Sequence, residues 1–167
     1  MSCDKSAAEF LLARDRRQEA LALAMRKGSG TTLFLSLNMP GPDKSPPGTA
    51  ALFAWALREI KLAFPGLEMC VGDGDALGPW AIASIASQPA RAKIACIALE
   101  ECSAATRLLD LDVYSGAGQQ VDRASLALPP RRCLLCSHPA VECIRSKRHT
   151  YPEVIAKAHE LLARFRT

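Results

Sequence analysis

The feature that most constrains this chain is a strictly alternating stretch at residues 108–114, Leu-Leu-Asp-Leu-Asp-Val-Tyr. Successive side chains of a β-strand point to opposite faces, so the apolar members of the pattern share one face and the polar members share the other. The apolar face can pack on a core. The two faces carry Leu109, Leu111 and Val113, and Asp110, Asp112 and Tyr114, respectively.

The two aspartates of this strand point into the same space. Asp110 and Asp112 lie about 6–7 Å apart along a strand, and like charges that close repel unless a cation or a proton lies between them. Many sites of phosphoryl and nucleotidyl transfer hold Mg²⁺ with such an Asp-x-Asp pair. The alternative is a half-exposed strand with a solvated polar face.

Positive charge is concentrated downstream of the aspartates. Residues 123–148 contain six Lys or Arg side chains and one acid, Glu142, which gives a local net charge of +5. The whole chain carries +4, so the remaining residues sum to −1. Positive charge beside a carboxylate pair suits a polyphosphate that is bridged by a metal ion.

Length and composition indicate one globular domain. The chain has 167 residues, of which 49% are hydrophobic, enough for a sizeable core. The first residues lack the apolar run of a signal peptide, and no apolar run approaches the roughly 20 residues that span a bilayer. The odd count of seven cysteines favours free thiols or metal ligands over disulfides. We therefore expect a cytoplasmic protein without membrane attachment.

Periodicity and end signals predict most of the secondary structure. A first helix begins at the capping-box spacing of Ser6 and Glu9 and ends at Gly28. Residues 80–87 fit either a helix or a strand. The other predicted elements are a buried strand over residues 31–37, a helix over 49–64, a short strand over 67–71, and a final helix over 151–165 capped by Thr150.

Two stretches in the middle of the chain bear on the site. Residues 72–75, Gly-Asp-Gly-Asp, resemble phosphate- or metal-binding loops but match no P-loop, so a plain turn is favoured. Residues 92–99 are predicted to form a strand antiparallel to the Asp110 strand, which brings Glu100 near the carboxylate pair. Helices and strands mix without regular βαβ alternation. This predicts an α+β (irregular α/β) single domain with a mixed, largely antiparallel sheet flanked by helices.

Two basic side chains outside the basic segment are candidate anion ligands. Arg17 lies in an otherwise apolar helical stripe, where it either extends to solvent or meets an anionic partner. Lys44 ends a turn at residues 38–44 that two prolines stiffen, and from there it can reach a phosphate. The alternative for this turn is a plain strand-to-helix connection with a solvated lysine.

The cysteines of the basic segment have the spacing of a metal site. Cys133, Cys136, Cys143 and His149 offer four ligands at separations that a structural Zn²⁺ accepts. The alternative is that the thiols are free and pack a small turn. Packing is slightly favoured, because a single Cys-x₂-Cys with a third cysteine is a weaker signal than a doubled Cys-x₂-Cys.

Several short stretches together resemble the apo-citrate lyase phosphoribosyl-dephospho-CoA transferases, also called citrate lyase holo-acyl-carrier-protein synthases. They run from the first helix to the last in the family's order. They are Arg17-Gln18, residues 37–44 (Leu-Asn-Met-Pro-Gly-Pro-Asp-Lys), 98–101 (Ala-Leu-Glu-Glu), 107–113 (Arg-Leu-Leu-Asp-Leu-Asp-Val), Arg123, 132–136 (Arg-Cys-Leu-Leu-Cys) and 143–149 (Cys-Ile-Arg-Ser-Lys-Arg-His). The chain departs from the family's pattern at residues 77–80 and 103–106.

The resemblance implies a nucleotidyltransferase-like domain over residues 1–167, with a Cys/Arg-rich segment at 123–149. A serine of the citrate lyase acyl carrier (gamma) subunit would attack triphosphoribosyl-dephospho-CoA and release diphosphate. Asp110 and Asp112, with Glu100, would hold Mg²⁺ against the triphosphate, and Asp112 or His149 would take the serine proton. The implied substrate-binding residues are Arg17, Asn38, Lys44, Arg107, Arg123, Arg132, Arg145 and Arg148.

Two other classes of function remain open. A zinc-knuckle-like nucleic-acid-binding module would use the basic segment, but only 5% of residues are aromatic and few bases could stack. The aspartate pair would also repel nucleic acid phosphates in the absence of a metal. The second alternative is a catalytically silent protein that only binds the carrier subunit.

Overall fold

The structure, a computed structural model, describes residues 7–27 and 30–165. Its helices are α1 (Ala7–Lys27), α2 (Thr49–Ala63), α3 (Pro89–Glu101), α4 (Ala140–Arg145) and α5 (Tyr151–Leu162). Its strands are β1 (Thr31–Leu37), β2 (Glu68–Asp75), β3 (Gly78–Ile85), β4 (Leu109–Tyr114) and β5 (Gln120–Val121). Short 3₁₀ helices occur at Ala105–Leu108, Ala124–Leu126 and Ala163–Phe165.

The strands form one sheet in the order β2-β3-β1-β4-β5. Every pairing between these described strands is antiparallel, so the sheet is antiparallel throughout rather than mixed. In the central pair, Ser36 lies opposite Asp110 and Phe34 opposite Asp112. With helices packed around this sheet, the architecture confirms the α+β prediction.

The sheet separates two apolar layers. One face packs on α2, α3 and α5 through the alternating apolar residues of β1 and β4. The other face packs on α1, where Leu21 and Ala24 contact the side chains of Trp80 and Ile82, with Tyr114 at the edge of the cluster. Because strand side chains alternate, Asp110 and Asp112 lie on the same face as Tyr114, the α1 side.

The prediction of a strand over residues 92–99 is wrong, because these residues belong to α3. The helix begins with Pro89 in its first turn, where the fixed φ of proline suits helix initiation. The run that follows is rich in alanine and other helix formers and lacks strict alternation. Its buried residues repeat at helical spacing, and they are Ala92, Lys93, Cys96, Ile97 and Glu100.

Helix α3 takes the place of a strand along part of β4. Strand β5 pairs only with Val113 and Tyr114, so the edge of β4 is open at Leu111. There Nζ of Lys93 donates to the Leu111 carbonyl at 2.6 Å, and Oε1 of Glu100 accepts from the Leu111 N–H at 3.0 Å. Two buried side chains thus satisfy backbone groups that another strand would otherwise bind.

The turn predicted at residues 72–75 is also wrong. These residues end β2 and pair with Gly78–Ala81 of β3, so the turn lies at residues 76–77. The short strand predicted over 67–71 is therefore the beginning of a longer one, and the ambiguous stretch 80–87 lies largely in β3. Alternation was hard to see here because glycine occupies every second position.

The remaining elements agree with their predictions. The strand over residues 31–37 and the helix over 49–64 are confirmed as β1 and α2. Thr150 caps α5 in a capping box with Glu153, and the last predicted residues, 163–165, form a 3₁₀ turn. Ser6 and Gly28, the predicted ends of the first helix, lie outside the described residues. None of the described helices is long and apolar enough to cross a membrane.

Candidate functional site

The aspartate pair lies on one face of β4, as predicted. Asp110 and Asp112 alternate with three buried apolar residues of the strand. Burial, followed by repulsion from Asp112, raises the pKa of Asp110, although Arg131 and Lys93 oppose the shift. Burial and the two aspartates likewise raise the pKa of Tyr114 to about 12. Burial and mutual repulsion therefore both disfavour two ionised aspartates here unless a cation or a proton compensates them.

Arg131 connects the aspartate pair to the rest of the site. Its Nη2 atom lies 2.7 Å from Oε1 of Glu100 and 3.6 Å from Oδ1 of Asp110. The same atom donates to the Leu109 carbonyl at 3.1 Å. Arg131 was not among the predicted site residues, whereas its neighbour Arg132 was. The doubled arginine was the available signal, but it does not tell which of the two side chains faces β4.

Glu100 lies near Asp110 as predicted, yet its oxygens are already engaged. The side chain is 3% exposed and binds Arg131, the Leu111 N–H, and Nη2 of Arg123 at 3.2 Å. Arg123 also donates to Glu101 at 2.8 Å. Two guanidinium groups neutralise one buried carboxylate, so Glu100 holds the arginines in place in this structure.

Two cavities share a wall of three arginines, Arg107, Arg131 and Arg132. The smaller, about 420 Å³, also contains Arg123 and the two glutamates of α3. The larger is about 740 Å³, within the range of cofactor sites. Asp110 and Asp112 line neither cavity, and Asp110 meets the shared wall through Arg131.

The large cavity combines apolar and cationic walls. Among the described residues, no carboxylate lines it. Of its five cations, only Arg131 forms a salt bridge within the described part of the chain. The cationic residues are Lys44, Arg107, Arg131, Arg132 and Lys147, and the apolar wall includes Met39, Pro40, Leu134, Ile144 and Val154. Such a cavity fits a ligand that is anionic in one part and apolar in another.

The turn at residues 38–44 forms one side of the large cavity. Gly41 has a φ of 91°, and a Cβ atom there would lie 3.2 Å from Cδ1 of Ile155. Its N–H donates to the Tyr151 hydroxyl at 2.9 Å, which ties the turn to α5. Nζ of Lys44 donates to the Met39 carbonyl at 2.6 Å, and Asn38 also lines the cavity. Hydrogen bonds and packing therefore fix the turn, which forms one wall of the large cavity.

Arg107 supports the cysteine segment. Its Nη2 atom donates to the carbonyl of Arg132 at 2.9 Å and also to the carbonyl of Cys133. Since Arg107 belongs to the 3₁₀ helix that immediately precedes β4, these bonds fix the segment against the sheet. The guanidinium lines both cavities, so it remains available to an anion as well.

The predicted metal ligands come together. The ligand atoms of Cys133, Cys136, Cys143 and His149 all lie within 4.8 Å of one another. Sγ of Cys136 is 3.4 Å from Sγ of Cys143 and 3.3 Å from Nε2 of His149. Ligand atoms at about 2.0–2.3 Å from a tetrahedral Zn²⁺ are themselves roughly 3.5–4 Å apart, so the donor set fits this ion.

The backbone around Cys133 favours the thiolate of this residue, whereas burial and the hydrogen bonds with Cys136 and Cys133 raise the pKa of Cys143 to about 12. The N–H of Leu135 lies 3.5 Å from Sγ of Cys133. Burial raises the pKa of the Cys133 thiol, but hydrogen bonds from Leu135, Cys136 and Cys143 more than offset it, so the pKa is lowered. A thiolate is the form of cysteine that binds metal.

Arg17 has its anionic partner inside the protein. Its guanidinium is bidentate to Asp75 at 2.8 and 2.6 Å, donates to the Gly78 carbonyl at 2.8 Å, and lies over the Trp80 ring. Arg16 pairs similarly with Asp73. These pairs hold α1 against the β2–β3 hairpin, and Arg17 lines neither cavity.

The other predicted arginines divide into two groups. Arg107, Arg123 and Arg132 line a cavity, as do Asn38 and Lys44. Arg145 and Arg148 are exposed and line neither. Lys147, which lies between them, does line the large cavity but was not predicted. The sequence of an irregular turn does not tell which of its side chains faces a cavity.

An acidic pair beside a cationic cavity on an α+β scaffold is the arrangement expected of an enzyme that acts on an anionic substrate such as a polyphosphate. The chain belongs to the family of apo-citrate lyase phosphoribosyl-dephospho-CoA transferases, whose sequence model matches residues 5–165.

Individual relatives agree with this membership. The apo-citrate lyase phosphoribosyl-dephospho-CoA transferase of Shigella boydii serotype 18 (strain CDC 3083-94 / BS512) is 30% identical over 158 residues, which cover 92% of this chain and 86% of the relative. The same figures hold for the protein of that name from Escherichia coli O157:H7 (strain EC4115 / EHEC). They also hold for a probable transferase of Escherichia coli (strain K12 / MC4100 / BW2952). The resemblance found from the sequence is thereby confirmed.

Proposed function

We propose that this chain attaches the phosphoribosyl-dephospho-CoA group to citrate lyase, the activity that the names of its relatives give them. The donor is triphosphoribosyl-dephospho-CoA, and the acceptor is a serine of the acyl carrier subunit. The position of Arg131 carries the proposal, because this residue lines the large cavity and also lies 3.6 Å from Asp110. One side chain thus joins an anion-binding cavity to the acidic pair.

The reaction is a phosphoryl substitution. The serine Oγ attacks the phosphorus atom of the triphosphate that is attached to the ribose. The bond from Oγ to phosphorus forms while the bond from phosphorus to the oxygen that bridges to the next phosphate breaks. The electron pair leaves with diphosphate, and the serine proton passes to a base. The product is a phosphodiester, so the chemistry is of the nucleotidyltransferase type.

The cations of the large cavity bind the donor. Lys44, Arg107, Arg132 and Lys147 have no carboxylate partner among the described residues, so phosphate oxygens can take that place. Charge that develops on the leaving diphosphate is stabilised by the same fixed donors. The apolar wall contacts the uncharged parts of dephospho-CoA.

Asp110 and Asp112 are the proposed ligands of Mg²⁺. The fit rests on the donor set, since the two carboxylates share one face of β4, and the raised pKa of Asp110, caused by burial and by the charge of Asp112, agrees with it. When bound, Mg²⁺ supplies positive charge to the triphosphate oxygens. Glu100 was expected as a third ligand, but its engagement by Arg123 and Arg131 assigns it the supporting role.

Asp112 is the proposed base, because a carboxylate has two oxygens and one can contact the ion while the other takes the serine proton. Its Oδ1 atom accepts a hydrogen bond from Nε2 of Gln120 at 2.8 Å, which orients the carboxylate. His149, the other candidate, points its Nε2 at Cys136 and belongs to the cysteine cluster. A histidine that ligates a metal through this atom cannot take a proton there.

A structural Zn²⁺ is proposed at Cys133, Cys136, Cys143 and His149. The ion would fix the segment that carries Arg131 and Arg132 on one side and Lys147 on the other. Three of the four ligand residues also line the large cavity, so the cluster shapes the donor site. We place the protein in the cytoplasm, where its six described cysteines, all free thiols, can stay reduced.

Mass spectrometry of the carrier subunit tests the proposal. The purified apo-carrier is incubated with the chain, triphosphoribosyl-dephospho-CoA and Mg²⁺. The expected result is a mass increase equal to the phosphoribosyl-dephospho-CoA group, located on one serine by peptide mapping, with one diphosphate released per transfer. Asp110→Asn serves as the inactive control. An unmodified carrier, with a folded chain and intact donor, would refute the function.

A further inference from the structure

Helix α4 and the turn after it expose a surface at the rim of the large cavity. We define this α4 surface as Val141, Ile144, Arg145, Lys147 and Arg148. Val141 is 53% exposed and Ile144 is 77% exposed, and the three cations are exposed as well. Exposed apolar side chains surrounded by charge are typical of a surface that binds another protein.

The turn that carries the α4 surface is hydrogen-bonded to α4 despite its exposure. Lys147 has a φ of 48°, the left-handed region that few residues other than glycine adopt. Hydrogen bonds close the turn on both sides of it, from the N–H of Ser146 to Glu142 at 2.9 Å and from the N–H of Arg148 to Cys143 at 3.0 Å. The N–H of Arg148 thus binds the carbonyl five residues before it, as in a Schellman C-cap, which ends α4 and sets the direction of the chain after it.

The charge of the α4 surface is unbalanced. None of its three cations forms a salt bridge in the part of the chain that the structure describes. Arg145 and Arg148 line neither cavity, so a ligand inside the cavity does not use them. Ile144 and Lys147 do line the large cavity, which makes the surface continuous with the donor site.

We propose that the α4 surface docks the acceptor protein, and that this protein presents acidic side chains around the serine that is modified. The identity of the acceptor rests on the proposed function. Charge complementarity selects an acidic partner, since the surface offers three unpaired cations around two apolar anchors. The shared residues Ile144 and Lys147 place the serine of a docked partner at the mouth of the cavity that holds the donor.

Direct binding of the apo-carrier subunit to the full chain, without donor, tests this docking. The double variant Arg145→Glu/Arg148→Glu is compared with Arg26→Glu/Arg91→Glu, which reverses two exposed charges on α1 and α3. We expect the first to raise Kd at least about tenfold and the second to leave it within about twofold. Val141→Asp should weaken binding as well. Circular dichroism and metal content verify that each variant is folded.

The outcomes separate docking from catalysis. Docking is supported if the Arg145/Arg148 variant loses carrier binding but binds the donor with unchanged affinity. It is overturned if this variant binds the carrier like the wild type, or if both double variants weaken carrier binding equally. It is also overturned if the wild type does not bind the carrier, or if the surface proves to join two copies of the chain in sedimentation experiments. Loss of docking in the variant together with absence of transfer by the wild type would support docking and refute only the proposed reaction.

Discussion

Nη2 of Arg131 lies 2.7 Å from Oε1 of Glu100, and this pair fixes the boundary between the acidic face of β4 and the two cavities. Glu100 comes from α3 and is almost fully buried, whereas Arg131 comes from the basic segment far along the chain. A buried carboxylate with this many partners is a rigid anchor for the guanidinium. The position of Arg131 against Asp110 therefore depends on Glu100, which also binds Arg123 and the Leu111 N–H.

Glu100→Gln should destabilise the protein and lower transfer together. The neutral amide leaves Arg123 and Arg131 without their buried charge partner, which costs about 3 kcal/mol for a broken buried pair. Urea denaturation measures the free energy of unfolding. The control is Glu101→Gln on the same helix, whose carboxylate is 59% exposed and should contribute less than about 1 kcal/mol. Equal effects of the two variants would contradict the anchoring role.

Asp110→Asn and Asp112→Asn should each abolish transfer while the fold is kept. Both side chains lie on the polar face of β4, and neither belongs to an apolar core cluster. The measurement is the initial rate of carrier modification over a Mg²⁺ titration, with circular dichroism to check folding. Asp73→Asn, an exposed acid on β2, is the matched control and should retain full rate. A normal rate for either β4 variant at limiting Mg²⁺ would exclude the metal assignment.

Asp110→Asn should also stabilise the protein at neutral pH when Mg²⁺ is absent. The pKa of Asp110 is raised in the folded state, so folding favours the protonated carboxyl. The contribution of Asp110 to the free energy of unfolding is fully present below the ordinary aspartate pKa of about 4. It is lost as the pH rises through the pKa that Asp110 has in the folded protein. The advantage of the variant should thus vanish in acid.

Urea midpoints at neutral and acidic pH, with and without Mg²⁺, measure this effect. Mg²⁺ should stabilise the wild type more than the Asn variant, because the ion compensates the charge that Asn lacks. An Asn variant that is less stable than the wild type at neutral pH would show that Asp110 is already compensated within the protein.

The sequence predicted the parts of the site that depend on local pattern. Strict alternation placed Asp110 and Asp112 on one face of a strand, and the spacing of Cys133, Cys136, Cys143 and His149 brought four ligands together. Both predictions concern residues of one short stretch, the strand at 109–114 and the segment at 133–149. Local geometry alone was therefore sufficient.

The parts that failed depend on tertiary contacts. Residues 92–99 were expected to form a strand because an apolar run of that length fits either element, and packing on β4 decides for the helix. Arg17 was expected at the substrate, but its partner Asp75 lies 58 residues away in the sequence. Arg131 was missed because its contact with Glu100 arises only in the folded chain.

Removal of single cations from the large cavity should weaken catalysis. Arg132→Ala and Lys147→Ala each remove a charge that lacks a partner among the described residues and so should cost about 2–4 kcal/mol of transition-state stabilisation. Lys44→Ala should have a similar effect and, in addition, loosen the turn that it ties to Met39. Values of kcat and KM for the donor give the measurement, and Arg91→Ala on α3 is the control. Unchanged kcat and KM for Lys44→Ala would show that the turn at residues 38–44 only connects β1 to α2 and does not bind the donor.

The cysteine cluster should hold about one zinc per chain, and its removal should disorganise the large cavity. Because the ion binds only a folded cluster, its binding energy contributes to the stability of the segment between Cys133 and His149. Elemental analysis of protein purified without chelator gives the metal content.

Hydrogen exchange after treatment with a zinc-selective chelator, with Mg²⁺ restored, should show faster exchange at Arg148, whose N–H binds the Cys143 carbonyl. Cys136→Ser should behave like the chelated protein, and Cys70→Ser, at an exposed thiol on β2, should behave like the wild type. If the protein contains no zinc and still transfers the group, the thiols only pack, and His149 becomes free to accept the serine proton.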